Sequence, residues 1–298
     1  PVRDKYRLRH LNGLSAKVIT YQQLDSEIES SDGFDYVIHL AGATRARDYE
    51  AYRIANVERT RDLLESFSHE GSGDRLNRFV LVSSQAAVGP AKDGASPVSE
   101  SDPPRPVSSY GRSKLEAEKL VLSYGDRLPV TVIRPPTVFG PRDTDVLDVF
   151  RLARFRLAPC LAGPDRFVSI IYVEDLVEAI YAACVSPNAS SKVYFAANPE
   201  PVVWRLFVLE VARICGYSAI SVPVPLPAVK IAAAAGDLVC KLTGSAPLFR
   251  SEKFEEMKQI AWVCSSEKAY RDLDWAPKTP IAKAIEKTAA WYRKRRWI

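Results

Sequence analysis

The stretch YGRSKLEAEKLVLSYGDRLPVTVIRPP, residues 110–136, decides the fold. Its first half sets Leu115, Leu120 and Val121 at helical spacing, so a helix is expected over residues 113–124. Its second half, residues 129–135, is a nearly continuous run rich in β-branched residues, the pattern of a parallel strand covered on both faces. A helix that feeds directly into a buried strand is one unit of an alternating α/β fold. The same alternation extends outward in both directions. AKVIT (16–20), YVIHLAG (36–42), FVLVSS (79–84) and VYFAAN (193–198) read as further buried strands, and residues 49–67 and 173–183 as helices. The sum is a doubly wound parallel sheet. From Pro199 the texture changes to helices separated by Pro223, Pro225, Pro227 and Pro247, ending in a helix over about 281–296. The expected division is a Rossmann-like unit of residues 1–139 and 169–198, with a smaller, mostly helical region of residues 140–168 and 199–298.

Within YGRSK, Tyr110 and Lys114 stand four residues apart. On a helix the phenol and the ammonium therefore share one face, a turn apart. A free tyrosine has a pKa of about 10, and a fixed cation nearby lowers it, which makes Tyr110 a candidate general base. Other polar residues fall beyond the carboxyl ends of the expected strands, where open α/β sheets bind their ligands. They are Ala41-Gly42-Ala43, Ser83-Ser84 and Arg134-Pro135-Pro136.

Composition limits the function classes. The chain has 298 residues, is 47% hydrophobic and carries a formal net charge of +5. Its Lys and Arg are dispersed rather than gathered into a stripe, which argues against a nucleic-acid partner. The one basic run, Arg293 to Arg296, suits the end of a helix. Five cysteines without a CxxC pair predict reduced thiols in a cytoplasmic protein and no metal site. The most apolar stretch, residues 226–242, is interrupted by Lys230, Asp237 and Lys241. It reads as a buried or lid-forming helix rather than a membrane span, with interfacial membrane contact the less favoured alternative. Glu174 and Asp175 read as the start of a helix, where negative charge suits the dipole.

HLAGA (39–43), IANVERT (54–60), VSSQAAVGP (82–90), YGRSK, IRPPTVFGP (133–141) and IIYVEDLVEAI (170–180) occur in that order. Together they resemble the extended short-chain dehydrogenase/reductases, the superfamily of NAD-dependent epimerases and dehydratases and of 3β-hydroxysteroid-dehydrogenase-like reductases. The resemblance implies a catalytic set in which Ser84 polarises the substrate oxygen, Tyr110 moves a proton, and Lys114 holds the nicotinamide ribose while lowering the tyrosine pKa. It implies cofactor contacts from Ala41, Gly42, Ala43, Asn56, Ser83, Tyr110, Lys114 and Pro135, and substrate contacts from Gln85, Pro136 and Thr137. For Asn56 a bond to a neighbouring loop competes with direct cofactor contact, and for Ser83 packing competes with catalysis. The cofactor implied is NAD or NADP, the partner a small molecule, and dimers are common among such proteins.

Two departures qualify the resemblance. The family opens with a strand and a G-x-x-G-x-x-G turn that binds pyrophosphate, whereas the only glycine before AKVIT is Gly13. With Pro1 as first residue, the expectation is that about 30 residues, one βαβ unit, are missing from this chain. Arg3 and Arg7 would lie near a 2′-phosphate, which slightly favours NADP. Nucleotide-sugar members usually carry Asn where Thr137 stands and Arg where Phe167, Val168 and Ser169 stand, with Arg166 and Arg142 the nearby substitutes. The expected activity is hydride transfer at a secondary alcohol or ketone of a mainly apolar small molecule. The alternatives are a nucleotide-sugar epimerase or dehydratase with tightly held NAD, and a non-catalytic relative that keeps the fold as a binding module.

Overall fold

Side chains alternate across each central strand, and both sets are buried. In the strand Arg78–Val82, Phe79 and Leu81 enter one apolar cluster while Val80 enters another. A strand apolar on both faces is stable only inside a sheet covered by helices on each side. The computed structural model, which describes residues 15–19, 23–30, 33–68, 76–244, 247 and 249–298, has this arrangement.

The chain enters through α1 (Leu24–Ser30), β1 (Tyr36–His39) and α2 (Tyr49–Arg53). A single π-turn over Ile54–Glu58 joins α2 to α3 (Arg59–Ser68), and then come β2 (Arg78–Val82), α4 (Ser109–Leu122) and β3 (Val130–Arg134). The middle of the chain holds β4 (Thr137–Phe139), α5 (Leu147–Ala153), β5 (Leu157–Leu161), β6 (Phe167–Val168), β7 (Ile170–Tyr172) and α6 (Val173–Val185). It continues through β8 (Lys192–Phe195), β9 (Val202–Val203), α7 (Trp204–Ile214), β10 (Ile220–Val224) and α8 (Leu226–Thr243). The last elements are α9 (Ser251–Met257), β11 (Ala261–Trp262), α10 (Glu267–Leu273) and α11 (Ile281–Lys294).

The main sheet has the order β1-β2-β3-β8, parallel throughout. Residues of α3 and α4, among them Leu63, Leu64, Ala117 and Val121, cover one face. Leu176, Ala179, Ile180 and Ala183 of α6 cover the other. A third cluster, from Phe139, Phe150, Tyr172, Phe207, Ile285 and Tyr292, ties β4, α5, β7, α7 and α11 together.

The α/β alternation is as expected, with adjusted ends. The strands stop earlier than their apolar runs, because residues 40–43 and 83–85 leave the sheet to build the site. The helix expected from residue 113 begins at Ser109, where Ser108 caps it. AKVIT is a correction: Ala16 to Ile19 form no strand, and Thr20 lies outside the described residues. A strand forms only against a neighbour, and among the described residues β1 pairs only with β2, leaving Tyr36 42% and Ile38 45% exposed. The C-terminal region is also less purely helical than its prolines suggest. β10 pairs with β5, and β11 and β9 flank β6. Gly13, Arg3 and Arg7 lie outside the described residues.

Candidate active site

The turn after β2 is stitched to the end of β3. The Ser83 N–H donates to the Ile133 carbonyl at 2.7 Å and the Gln85 N–H to the Pro135 carbonyl at 2.8 Å. Ser84 is thereby fixed in extended geometry, and its hydroxyl accepts from the Ala86 N–H at 3.1 Å to cap a short turn over Gln85–Ala87. Opposite it, the Ser108 hydroxyl accepts from the Gly111 N–H at 3.1 Å and starts α4, which places Tyr110 in the first turn. The two segments meet because residue 111 has no side chain: a Cβ there would lie 2.3 Å from the Ala86 carbonyl oxygen. The Tyr110 phenol is thereby brought near the Ser84 hydroxyl, which pulls its pKa down. Gly111→Ala is expected to push α4 off this turn. Misplacement of reacting groups by about 1 Å costs roughly 10²-fold in rate. Steady-state kinetics would check this, and an unchanged kcat would show that the turn yields instead.

Lys114 is buried one helical turn further on, its ammonium donating to the Val82 carbonyl at 2.9 Å. Burial lowers its pKa to about 8, against a raising influence from Glu118. The expectation that Lys114 lowers the tyrosine pKa is not met in this state. Burial pushes the Tyr110 phenol up to about 12, Ser84 pulls it down, and the carboxylates of Glu256, Asp145 and Glu118 push it up further. The lysine spends its bond on the end of β2, so the phenol is a proton donor at neutral pH.

Asn56 sits in the π-turn, buried, with its side chain fully engaged. Its Oδ1 accepts from the Ala43 N–H at 2.6 Å, and its Nδ2 donates to the Ala43 carbonyl at 3.1 Å and the Ser113 hydroxyl at 2.9 Å. Ser113 in turn donates to the Tyr110 carbonyl at 2.7 Å. On the far side, Thr60 donates to the Asn56 carbonyl at 2.7 Å. Its one proton is thus spent, so the bond of 2.9 Å between His39 and Thr60 requires His39 Nε2 to carry the hydrogen. Burial, followed by the Lys114 charge, lowers His39 to about 4. His39, at the end of β1, is therefore a neutral donor in a chain of hydrogen bonds that ends on α4.

Ala41 and Gly42 are exposed where the chain leaves β1, and Ala43 is half-buried. A Cβ at Gly42 would lie 2.8 Å from Asn56 Oδ1, so this segment crosses the asparagine closely. Pro135 is buried, and Pro136 and Thr137 are half-buried at the start of β4. Two buried polar atoms at the end of β2 and in the turn after it, Ser83 Oγ and Gln85 Nε2, have no hydrogen-bond partner among the described residues. Such open valences, beside a buried lysine and a close-passing glycine, fit the ribose and nicotinamide end of a dinucleotide.

A roof comes from the C-terminal region. Glu252 of α9 accepts from the Tyr110 N–H at 3.0 Å, satisfying an otherwise unpaired donor at the start of α4. Arg250 donates to Asp237 of α8 at 3.0 Å and to the Ala46 and Arg47 carbonyls at 3.0 and 3.1 Å. Helices α8 and α9 are thereby latched to the loop that follows β1. Tyr52 packs its ring 6.0 Å from that of Tyr110.

The comparisons with known proteins agree with this geometry. The model of the NAD dependent epimerase/dehydratase family matches residues 3–197. The chain belongs to this family. It is 26% identical to ceramide reductase of Caulobacter vibrioides (strain NA1000 / CB15N), over all of this chain and 86% of that protein. It is 27% identical to 4-hydroxy-2-methyl-3-oxo-4-farnesyl-3,4-dihydroquinoline-1-oxide ketoreductase of Stigmatella aurantiaca, over 96% of this chain and 86% of that one. Among solved structures, UDP-glucuronic acid 4-epimerase from Bacillus cereus in complex with UDP-glucuronic acid and NAD shares the fold, with a TM-score of 0.72 and 20% identity. That match covers 94% of this chain and 81% of the epimerase. Another neighbour of the same fold holds NADPH. The chain is an NAD(P)-dependent enzyme of the NAD dependent epimerase/dehydratase family, whose relatives include reductases and epimerases of small molecules.

Family motifs located Ser84, Tyr110 and Lys114, but not every residue that shapes the site. Arg166, the nearby substitute for the phosphate-binding arginine, spends its Nε and Nη1 donors on the Met257, Leu161 and Pro164 carbonyls. Arg142 is exposed, with positive φ. Asp175 accepts from Lys278 and Thr279, and Glu174 pairs with Lys287, so both acids serve the start of α6 and its neighbours. His10 and His69 lie outside the described residues. Sequence reasoning missed Glu118, Ser113 and Gly111, all on α4. The signals were their distances from Lys114 and Tyr110: four residues for Glu118, three for Ser113 and one for Gly111.

Proposed function

We propose that the chain is a reductase that converts a ketone of a long, mainly apolar molecule to a secondary alcohol. The observation that carries this is the convergence of the Ser84 turn and the start of α4, which sets Tyr110, a proton donor at neutral pH, near Ser84 and one turn from the buried Lys114. When bound, a reduced nicotinamide would supply the hydride that the carbonyl carbon takes up. Ser84 donates a hydrogen bond to the carbonyl oxygen, and Tyr110 delivers the proton that this oxygen takes up as the C=O double bond becomes a C–O single bond. Lys114, charged below about pH 8, is placed to hold the ribose hydroxyls, with Ser83 and Gln85 offering their open valences to the adjoining polar groups. Asn56 keeps residues 41–43 and α4 in register beneath that ligand.

Thr137 in place of asparagine and the engaged Arg166 favour an apolar substrate over a sugar diphosphate, which needs charge-assisted contacts. The two named relatives, a ceramide reductase and a ketoreductase of a farnesyl dihydroquinoline oxide, point the same way. The test is to supply NADH or NADPH with long-chain ketones in one set of assays and UDP-sugars in another. Stoichiometric loss of reduced nicotinamide with a ketone is expected. Epimerisation of a UDP-sugar without net cofactor change would replace this reading.

A further inference from the structure

Helix α8 is apolar on the side it buries and on the side it presents to solvent. Inward it packs Val229, Ala233 and Cys240, the first two against Phe254 of α9. Directly opposite, Ile231, Ala235, Leu238 and Leu242 repeat at intervals of four, three and four residues and form one stripe along the helix. Ile231 is 72% exposed, Leu238 57% and Leu242 76%. The outer pole of a surface helix ordinarily carries charge, so a stripe of large aliphatic side chains there calls for a partner. Lys230 and Lys241 are both exposed along one flank of the stripe. The helix's one acid, Asp237, is withdrawn from the face by Arg250 and the Ser251 N–H.

We propose that this face of α8 docks on an anionic lipid surface, lying in the interface rather than crossing it. No described helix is long and apolar enough to cross a membrane. A helix with aliphatic residues on its outer pole and lysines at its side has the composition of an interfacial helix, the lysines extending to headgroup phosphates. The sequence reading counted Lys230, Asp237 and Lys241 as three interruptions of an apolar run. In the structure one is neutralised and the other two lie where an anionic surface would meet them. A second copy of the chain suits the face less well. In an antiparallel pair it would bring Lys230 and Lys241 against the same lysines, with the helix's one acid already engaged by Arg250 and Ser251. Because α8 and α9 roof the Tyr110 turn through Glu252 and Arg250, docking holds that turn beside the lipid. The docking surface goes beyond the proposed reaction and stands or falls apart from it.

The test is flotation of the full chain, without cofactor or substrate, with vesicles of phosphatidylcholine containing about 30% phosphatidylglycerol. The wild type is expected to float with the vesicles. Ile231→Glu/Leu238→Glu is expected to lower partitioning at least about tenfold, since a charge replaces each inserted side chain. Lys230→Gln/Lys241→Gln is expected to lose about fivefold per lysine and to bind equally weakly to vesicles of phosphatidylcholine alone. All four positions are exposed, so melting temperatures near that of the wild type serve as the folding control. A wild type that stays in the bottom fraction would overturn the proposal, as would flotation unaffected by both double variants. A lipid-free dimer that Ile231→Glu/Leu238→Glu separates into monomers would assign the face to a second copy instead.

Discussion

Tyr110→Phe is expected to lower kcat by about 10²–10⁴-fold while dinucleotide affinity stays within a few-fold of wild type. The substitution removes one oxygen and keeps the ring that packs against Tyr52. Helix α4 still begins at its Ser108 cap, and Glu252 still accepts from the backbone N–H of residue 110. Lys114 is untouched, since its bond goes to Val82 and not to the phenol. What is lost is the proton donor beside Ser84. Single-turnover reduction measures the first quantity and fluorescence titration with the dinucleotide the second, and substantial retained turnover would remove Tyr110 from the mechanism. The pH profile adds an independent check. With the phenol at about 12 and Lys114 at about 8, the alkaline limb of kcat/KM for the free enzyme should fall near pH 8. A limb near 10 or above would mean that the lysine is not the group whose charge matters.

Much of this architecture is legible in the residues because the central strands are apolar on both faces, and only a sheet between two helical layers accepts such strands. Ser84, Tyr110 and Lys114 are legible for a different reason: their positions are set locally, by the end of a strand and one turn of a helix. Interactions that depend on distant segments are not readable in this way. Nothing near Tyr110 in sequence announces that Glu252, 142 residues later, meets its N–H, or that Arg250 latches α8 to residues 46 and 47. The π-turn at residues 54–58 is hidden for a related reason. Its register is decided by the bonds of Asn56 to Ala43 and Ser113, and a helical pattern cannot express those. The phenol's raised pKa likewise follows from burial by the folded chain, whereas the spacing of Tyr and Lys points to the opposite shift.

Glu118→Gln is expected to destabilise the protein by about 3–5 kcal/mol, the typical cost of removing one partner from a buried ion pair. Glu118 and Arg134 are both buried, and the pair is bidentate: Arg134 Nε donates to Glu118 Oε1 at 3.0 Å and Nη2 to Oε2 at 2.7 Å. The guanidinium carbon also lies 5.5 Å from the centre of the Phe195 ring, so this one side chain joins β3, α4 and β8. Glutamine preserves the shape but turns an amide N–H₂ toward a cation and leaves the guanidinium charge without a counter-ion in a dry site. A loss of that size lowers Tm by about 5–8 °C in a chain of this length, which calorimetry would register. The double variant Glu118→Leu/Arg134→Met should recover most of the loss, because matched apolar residues often replace a buried pair without cost. A kinetic signature separates the pair's second role from its structural one. Glu118 holds the Lys114 pKa up against burial, so in Glu118→Gln the lysine should lose its proton below pH 8. The alkaline limb of kcat/KM, measured at a temperature where the variant is folded, should then move to lower pH. A limb that stays in place while Tm falls would confine Glu118 to bracing the sheet.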